Sequence, residues 1–320
     1  MAVYTDIDDE TLRSFLTEYD IGRAVSLTGI AEGIENSNFL LVTDRGRFIL
    51  TLYEKRVDAA DLPFFLGLLD HLAAHGVRCP TPIHGRDGHS LRRLCGRPAA
   101  IVTFLSGRSP KRILPHHLRA VGAALAELHL AGAGFPLRRA NALGLEGWRG
   151  LAEACAARAD EVSPGLAALL AEELATLRRD WPADLPSGVI HADLFPDNVF
   201  FEGDTLSGLI DFYFACNDLF AYDIAICLNA WCFEPTNDFN VTKARNLIEG
   251  YDSVRPVGEA EIAALPLLAR GAALRFLLTR LYDWLHPATG ALVRPKDPLE
   301  YGQRLRFQRS VTGPQAYGLD

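Results

Sequence analysis

The residue types around position 190 are those that metal-assisted chemistry on a hydroxyl group requires. Residues 191–198 read His-Ala-Asp-Leu-Phe-Pro-Asp-Asn, and a predicted strand further on ends at Asp211. Asp211 and Asn198 offer a carboxylate and an amide, which are hard oxygen ligands of the kind that Mg²⁺ prefers. Asp193 is a second carboxylate, which could orient an attacking hydroxyl and accept its proton. The segment therefore predicts a metal-assisted transfer site.

A predicted hairpin explains the spacing of these residues. Residues 199–201 and 206–210 are predicted strands, and residues 202–204 form the turn between them. Folding the hairpin returns Asn198, at the start of the first strand, and Asp211, at the end of the second, to the same end. Asp193 lies in the loop just before the hairpin.

The order of residues within this segment indicates which transfer is catalysed. Residues 191–198 match the kinase catalytic-loop pattern H-x-D-L-x-x-x-N, with Ala192 where protein kinases carry Arg. Phosphoryl transfer has a loose, negatively charged transition state, so it depends on divalent cations and on a carboxylate that positions the hydroxyl. The pattern predicts ATP and Mg²⁺ as cofactors, Asp193 as the catalytic carboxylate, and Asn198 and Asp211 as metal ligands. His191 is predicted to hold the loop through hydrogen bonds to backbone.

Two differently patterned parts of the chain surround this site. The first is strand-rich, and its strands are predicted at 25–30, 38–42, 48–53, 90–94 and 98–104. A helix is predicted at 61–76, between the third and fourth of them, and helical spacing dominates from Pro115 onward. The sequence predicts an α+β, two-lobed fold: a small N-terminal antiparallel sheet lobe over 1–105 and a larger, mainly helical C-terminal lobe over 106–320.

Composition excludes several function classes. The 32 basic and 40 acidic residues give a net charge of −8, so no basic field attracts nucleic acid or a membrane surface. The N-terminal segment is acidic and amphipathic, without the pattern of a signal peptide, and a cytoplasmic location is expected. The six cysteines show no zinc-ligand spacing and are expected to be buried, reduced thiols.

The chain resembles the aminoglycoside phosphotransferase and choline kinase group, which shares the protein-kinase-like fold, and within it the kinase-like homoserine kinases of bacteria. The segments that carry the resemblance are GIENSNFLLVT at 33–43, FILTLYEKRV at 48–57, DLPFFLGLLDHLAAHG at 61–76, HADLFPDNVFF at 191–201 and FNVTKARNLIEGY at 239–251. It implies that Asp193 is the catalytic base, that Asn198 and Asp211 bind Mg²⁺, and that the substrate is L-homoserine. It also implies a loop over the ATP phosphates, formed by Gly33, Asn36, Ser37 and Asn38.

One departure from the kinase pattern keeps a non-enzymatic alternative open. The third predicted strand lacks the Lys that anchors the ATP phosphates in protein kinases, and the nearest cations are Lys55 and Arg56 at its end. The phosphate-anchoring cation is therefore unassigned. A pseudokinase that binds nucleotide without transferring phosphate remains an alternative at this stage.

The acceptor is predicted to be a small molecule. The segment 212–220 is too short for a peptide-binding activation segment, and Ala192 replaces the Arg that would contact a loop phosphate. Asp218 and Asp223 are interpreted as helix N-terminal carboxylates, as loop supports or as partners of a substrate ammonium group.

Three arginines interrupt the apolar helix predicted at 262–285. Arg270, Arg275 and Arg280 are candidates for binding the substrate carboxylate, or for pairing with structural acids. An aminoglycoside or choline would require the same catalytic loop with a different pocket, so these acceptors stay alternatives.

Overall fold

The computed structural model describes residues 5–30, 36–54, 58–287 and 295–319. Its strands are β1 Ala24–Gly29, β2 Ser37–Thr43, β3 Gly46–Leu52, β4 Arg92–Leu94, β5 Arg97–Thr103, β6 Ser187–Ile190, β7 Val199–Glu202, β8 Thr205–Leu209 and β9 Cys216–Leu219. Its helices are α1 Asp9–Leu16, α2 Leu62–Ala74, α3 Pro115–Ala131, α4 Leu145–Cys155, α5 Ala159–Val162, α6 Leu166–Asp180, α7 Phe220–Trp231, α8 Val241–Asp252, α9 Glu259–Leu285 and α10 Pro298–Ser310. The predicted α+β, two-lobed fold is confirmed, whereas the boundary at residue 105 stays a prediction.

The N-terminal lobe is a five-stranded antiparallel sheet in the order β1-β2-β3-β5-β4. Alternate residues of β2 are buried, as the period of two in its sequence predicts. Leu41 of β2 and Leu50 of β3 belong to one core with Leu12 and Phe15 of α1. Full burial of one such side chain contributes about 2 kcal/mol, so this face holds α1 against the sheet. In β3, Thr51 is opposite Asn38, and this pair lies on the side that faces the catalytic loop.

The helical lobe is built around α9, which packs against α4, α7 and α10. By length and composition α9 could cross a membrane, yet 61% of its most apolar window is buried inside the protein. It is therefore the core helix of this lobe. Residues of α2 join the same core, among them the fully buried Leu68 and Leu72, so α2 links the two lobes.

Two short antiparallel pairs carry the catalytic loop. β7 pairs with β8 in the predicted hairpin, and β6 pairs with β9, a strand that the sequence analysis did not predict. The hairpin strands differ from the prediction by one residue: β7 continues to Glu202, and β8 runs from Thr205 to Leu209. Asn198 closes a single 3₁₀ turn before β7. The hydrogen bond from the Ile210 N–H to the Asn198 carbonyl, 2.9 Å, extends the ladder to the ends that carry Asn198 and Asp211.

The cysteine prediction was correct for five of the six thiols. Cys95 is exposed, because it lies in the tight turn between β4 and β5 with a positive φ of 49°, whereas the others are buried. Burial raises the pKa of the Cys79 thiol to about 12, so this thiol is inert at neutral pH.

Candidate active site

A cleft of about 400 Å³ opens between the sheet and the helical lobe. Its lining comes from both lobes and consists of Asn36, Asn38, Asp193, Phe195, Asp197, Asn198, Asp211, Tyr213, Phe214, Phe276, Arg280, Asp283 and Lys296. A larger groove, of about 1010 Å³, lies beside α1 and contains none of these residues. The smaller cleft is therefore the candidate active site.

The structure brings Asp193, Asn198 and Asp211 together on the floor of this cleft. The Asn198 side-chain amide donates to the Asp193 carbonyl oxygen at 2.8 Å and to its carboxylate at 3.3 Å. Because these contacts use the Nδ2 group, the Oδ1 atom of Asn198 remains available as a ligand. Asp211, two residues after the end of β8, adopts the left-handed conformation with φ 65°. An amide oxygen and a carboxylate at adjacent hairpin ends are a suitable donor set for a hard divalent cation.

The environment of Asp193 makes its carboxyl group unusually basic. Desolvation raises the pKa of Asp193 to about 8, and the charges of Asp211 and Asp197 act in the same direction, while Arg275 opposes them. Both neighbouring acids are carboxylates of the cleft itself. A bound cation would lower the pKa again, since it favours the ionised form. Without a bound cation, the pKa of the catalytic carboxyl group therefore lies close to neutral pH.

His191 is buried beneath the catalytic loop. Its Nε2 atom lies 3.0 Å from the Ile210 carbonyl, and its Nδ1 atom lies 3.3 Å from the N–H of Asp193. Burial lowers the pKa of His191, so the ring is neutral, donates from Nε2 and accepts at Nδ1. The ring thereby connects the loop that carries Asp193 to the backbone just before Asp211.

Ala192 is held in a left-handed conformation, with φ 62°, that an alanine rarely adopts. Asp223 of α7 accepts the N–H groups of His191 and Ala192 at 2.8 and 2.9 Å, and also the ring of His129 at 3.0 Å. Burial acts to raise the pKa of Asp223, but the hydrogen bond from His129 and the other contacts outweigh it, and the pKa is lowered. Arg275 donates to the Ala192 carbonyl. Three side chains from α3, α7 and α9 thus fix the strained residue beside Asp193.

Of the five predicted substrate-binding candidates, the structure places only Arg280 in the cleft. Arg270 forms a bidentate ion pair at 2.9 Å with the fully buried Glu173 of α6, remote from the catalytic loop. Asp218 accepts from Asn141 at 2.7 Å outside the cleft. Arg275 and Asp223 lie beneath the loop rather than in the cleft, so neither reaches a substrate. Their charges support the loop, which is one of the three interpretations given for Asp223 from the sequence.

The predicted phosphate loop is only partly represented in the cleft. Asn36 and Asn38 line it from the sheet side, and Asn38 accepts from the Thr51 hydroxyl at 2.8 Å. Ser37 is fully buried and donates to the Glu54 carboxylate at 2.9 Å, so it faces away from the cleft. Gly33 lies outside the described residues, as do Lys55 and Arg56.

Three charged residues of the cleft were not predicted as site residues from the sequence: Asp197 in the catalytic loop, Asp283 and Lys296. Phe276, Arg280 and Asp283 lie four and three residues apart along α9, so they share one face of the helix, and this face lines the cleft. That periodicity was present in the sequence and could have identified Asp283. Lys296 precedes α10, and no local pattern indicates that the chain returns there to the catalytic loop.

A sheet lobe and a helical lobe, with two carboxylates and an amide in the cleft between them, define a kinase-like phosphotransferase. The model of a phosphotransferase enzyme family matches residues 26–257, and the chain belongs to that family. The chain is 65% identical over 319 residues to a homoserine kinase of Rhodospirillum rubrum, covering 100% of this chain and 99% of the relative.

Solved structures share the fold at low sequence identity. An amicoumacin kinase in complex with AMP-PNP and Ca²⁺ superimposes with a TM-score of 0.66 at 15% identity, over 96% of this chain and 95% of that one. A spectinomycin phosphotransferase in complex with ADP and spectinomycin gives a TM-score of 0.69 at 12% identity, over 98% of both chains. The predicted family resemblance is confirmed.

Proposed function

We propose that this protein is a homoserine kinase, which transfers the terminal phosphoryl group of ATP to the side-chain hydroxyl of L-homoserine. The observation that carries the proposal is the convergence of Asp193, Asn198 and Asp211 on one cleft, in a chain similar over its whole length to a homoserine kinase. The product, O-phospho-L-homoserine, belongs to threonine biosynthesis. The location is proposed to be cytoplasmic, where ATP is available.

Each residue of the cleft floor has a proposed role. Asp193 orients the hydroxyl and accepts its proton late, as a loose transition state allows. Asn198 Oδ1 and the Asp211 carboxylate would hold Mg²⁺, which would supply positive charge against the phosphate oxygens. Asn36 and Asn38 face the nucleotide from the sheet side. Asp223 and Arg275 act as positioning residues, because they fix the backbone next to Asp193.

A turnover panel tests the function. ADP release is measured with Mg-ATP and L-homoserine, L-threonine, choline, methylthioribose or kanamycin, and only L-homoserine is expected to be turned over efficiently. Efficient turnover of another acceptor would show that the proposed substrate is wrong, while phosphoryl transfer from ATP would stand as the reaction. Nucleotide binding without turnover of any acceptor would favour the pseudokinase alternative.

The Asp193→Asn variant tests the mechanism. Loss of the proton acceptor is expected to lower kcat by about 10²–10⁴-fold, while binding of Mg-ATP, measured by calorimetry, remains. A kcat close to that of the wild type would refute the role of Asp193.

A further inference from the structure

Two charged side chains of the cleft, Lys296 and Asp283, are exposed to it, and the charge of Lys296 acts on Asp193, whose pKa it lowers. Within the described part of the chain, neither Lys296 nor Asp283 forms an ion pair or a hydrogen bond. Exposed charges are common on protein surfaces. These two differ because they line the same cleft as Asp193, beside Phe276 of α9.

The neighbouring Arg280, by contrast, is already paired within the protein. Its guanidinium pairs with Glu300 at 2.6 Å, lies 4.5 Å from the ring centre of Tyr301, and has a side chain that is only 12% exposed. Glu300 also pairs with Arg304 of the same helix. Arg280 is therefore held by the protein itself, although it adds positive potential next to Lys296.

Two aromatic rings line the cleft beside these charges and the catalytic loop. The Phe195 and Phe276 rings meet edge to face at 4.9 Å, and the Lys296 ammonium lies 6.0 Å from the Phe195 ring centre. Phe195 follows Asp193 closely in the loop. An acceptor whose hydroxyl contacts Asp193 and whose methylene groups cover these rings would present its other end to Lys296 and Asp283.

We propose that Lys296 binds the α-carboxylate and Asp283 the α-ammonium group of an amino-acid acceptor. The inference rests on the proposed function and deepens it, because it states which residues select an α-amino acid over other alcohols. Opposite charges in one cleft are complementary to a zwitterion, and each would gain a charge-assisted hydrogen bond on binding. An acceptor that lacks either charged group would leave one of the two residues unpaired.

The experiment removes one charge at a time from the protein and from the ligand. The variants are Lys296→Met and Asp283→Asn. The ligands are L-homoserine as substrate and two competitive inhibitors, 4-hydroxybutanoate, which lacks the ammonium group, and 3-aminopropan-1-ol, which lacks the carboxylate. Inhibition constants are used because they do not require the analogues to be turned over. Lys111→Met and Asp184→Asn are matched controls at exposed positions outside the cleft.

A crossed pattern is expected. Lys296→Met should raise the KM for L-homoserine and the inhibition constant of 4-hydroxybutanoate by about 10- to 100-fold, because a charged hydrogen bond is lost. The inhibition constant of 3-aminopropan-1-ol should stay within about twofold of the wild-type value. Asp283→Asn should raise the KM for L-homoserine and the inhibition constant of 3-aminopropan-1-ol to a similar extent and leave 4-hydroxybutanoate unchanged. The controls should match the wild type for all three ligands.

Other outcomes separate this inference from the proposed function. If Lys296→Met weakens both analogues equally, or lowers kcat with an unchanged KM, Lys296 acts on the transferred phosphoryl group or on Asp193, and the inference is wrong. If wild-type affinity for L-homoserine survives both substitutions, the inference is wrong while the homoserine kinase assignment stands. If the wild type does not turn over L-homoserine at all, the proposed function fails, and the inference fails with it.

Discussion

The buried position of Asp193 lowers the stability of the folded protein at pH values where its carboxyl group is ionised. Desolvation raises its pKa to about 8 in the folded chain, against 3.8 for an unperturbed carboxyl group. A raised carboxyl pKa stabilises the folded state fully below pH 3.8, and this contribution is lost as the pH rises through 8. The free energy of unfolding should therefore fall by up to ~1.4 kcal/mol per pH unit between these values because of this one residue.

The Asp193→Asn variant isolates that contribution, because an amide does not titrate. We expect the nucleotide-free variant to gain stability relative to the wild type as the pH is raised from 5 to 9, with the increase levelling off above pH 8. Urea unfolding of both proteins at pH 5, 7 and 9 measures it. Parallel pH dependences for the two proteins would show that Asp193 is ionised in the folded state throughout.

Two arginines of α9, the buried Arg275 and the half-buried Arg270, form a matched pair for testing the support of the catalytic loop. Arg275 donates to the Ala192 carbonyl and lowers the pKa of Asp193, whereas Arg270 pairs with Glu173 far from the loop. We expect Arg275→Met to lower kcat by about 10-fold or more, since one hydrogen bond to a charged group is lost beside Asp193. Steady-state kinetics over a pH series provides the measurement, and the acidic limb of the profile should move to higher pH.

Arg270→Met is the control for that substitution. It should cost about 1–3 kcal/mol of stability, because Glu173 stays buried and keeps Arg309 as its one charge partner among the described residues. Its kcat and pH profile should match those of the wild type. Equal effects of both substitutions on kcat would mean that α9 acts on the loop as a whole rather than through Arg275.

The residues of the site that could be predicted from the sequence are those joined by a short, local pattern. The loop 191–198 and Asp211 are connected by a hairpin, so their meeting follows from strand pairing alone. Arg270, Arg275 and Arg280 have the same residue type in one helix, and only tertiary packing determines that Arg280 alone reaches the cleft. Lys296 arrives from a distant segment, and nothing local predicts its position.

At the level of elements, the β7–β8 hairpin is anchored to the segment that connects the lobes. Phe201 of β7 exchanges backbone hydrogen bonds with Arg108 at 2.9 and 3.1 Å, and the Ser207 hydroxyl donates to the Ser106 carbonyl at 2.7 Å. Gly107 lies between these contacts with φ +112°. The hairpin that carries Asn198 and Asp211 at its ends is thus coupled directly to the interlobe connection.

Substitution of Gly107 tests this coupling. A Cβ atom there would lie 2.3 Å from Ser207 Oγ and 3.0 Å from the Phe201 carbonyl oxygen, and the positive φ adds strain. Gly107→Ala should cost about 2–3 kcal/mol, since left-handed strain and overpacking each contribute about 1 kcal/mol or more. Thermal unfolding provides the measurement.

Gly134→Ala is the control for strain alone, because its φ is +80° and no atom lies within 4 Å of the added Cβ. The double variant Gly107→Ala, Ser207→Ala should recover part of the loss by removing one overlap. If Gly107→Ala lowers stability no more than Gly134→Ala does, the close contact between the hairpin and the connection contributes no measurable packing constraint.

The strands of the sheet lobe were predicted to within two residues at each end, because each is a short apolar run bounded by turn residues. β9 was missed for a physical reason: Cys216–Leu219 has no alternating pattern and pairs with β6, which lies before the hairpin in sequence. The pairing joins strands on either side of the catalytic loop and of the predicted β7–β8 hairpin, so no local pattern in the sequence indicates it.

At the scale of the whole molecule, two separate apolar cores are present, one in each lobe. α1 and the sheet form one core, while α2 and the helical lobe form the other. A nucleotide that contacts Asn38 from the sheet and Asp211 from the helical lobe would bind both units at once. A ligand that binds only the folded state stabilises it by mass action, by ~2.7 kcal/mol at a hundredfold excess over Kd.

We therefore expect AMP-PNP with Mg²⁺ at this excess to raise the Tm by about 4 °C, given the unfolding entropy of a chain of this length. In Asp211→Asn the carboxylate ligand is lost, so the shift in the presence of Mg²⁺ should fall to that given by the nucleotide in the presence of EDTA. Differential scanning calorimetry of both proteins, with Mg²⁺ or with EDTA, distinguishes the two contributions. An equal Mg²⁺-dependent shift in wild type and variant would exclude Asp211 as a metal ligand and would leave the cation bound by Asn198 and the nucleotide phosphates.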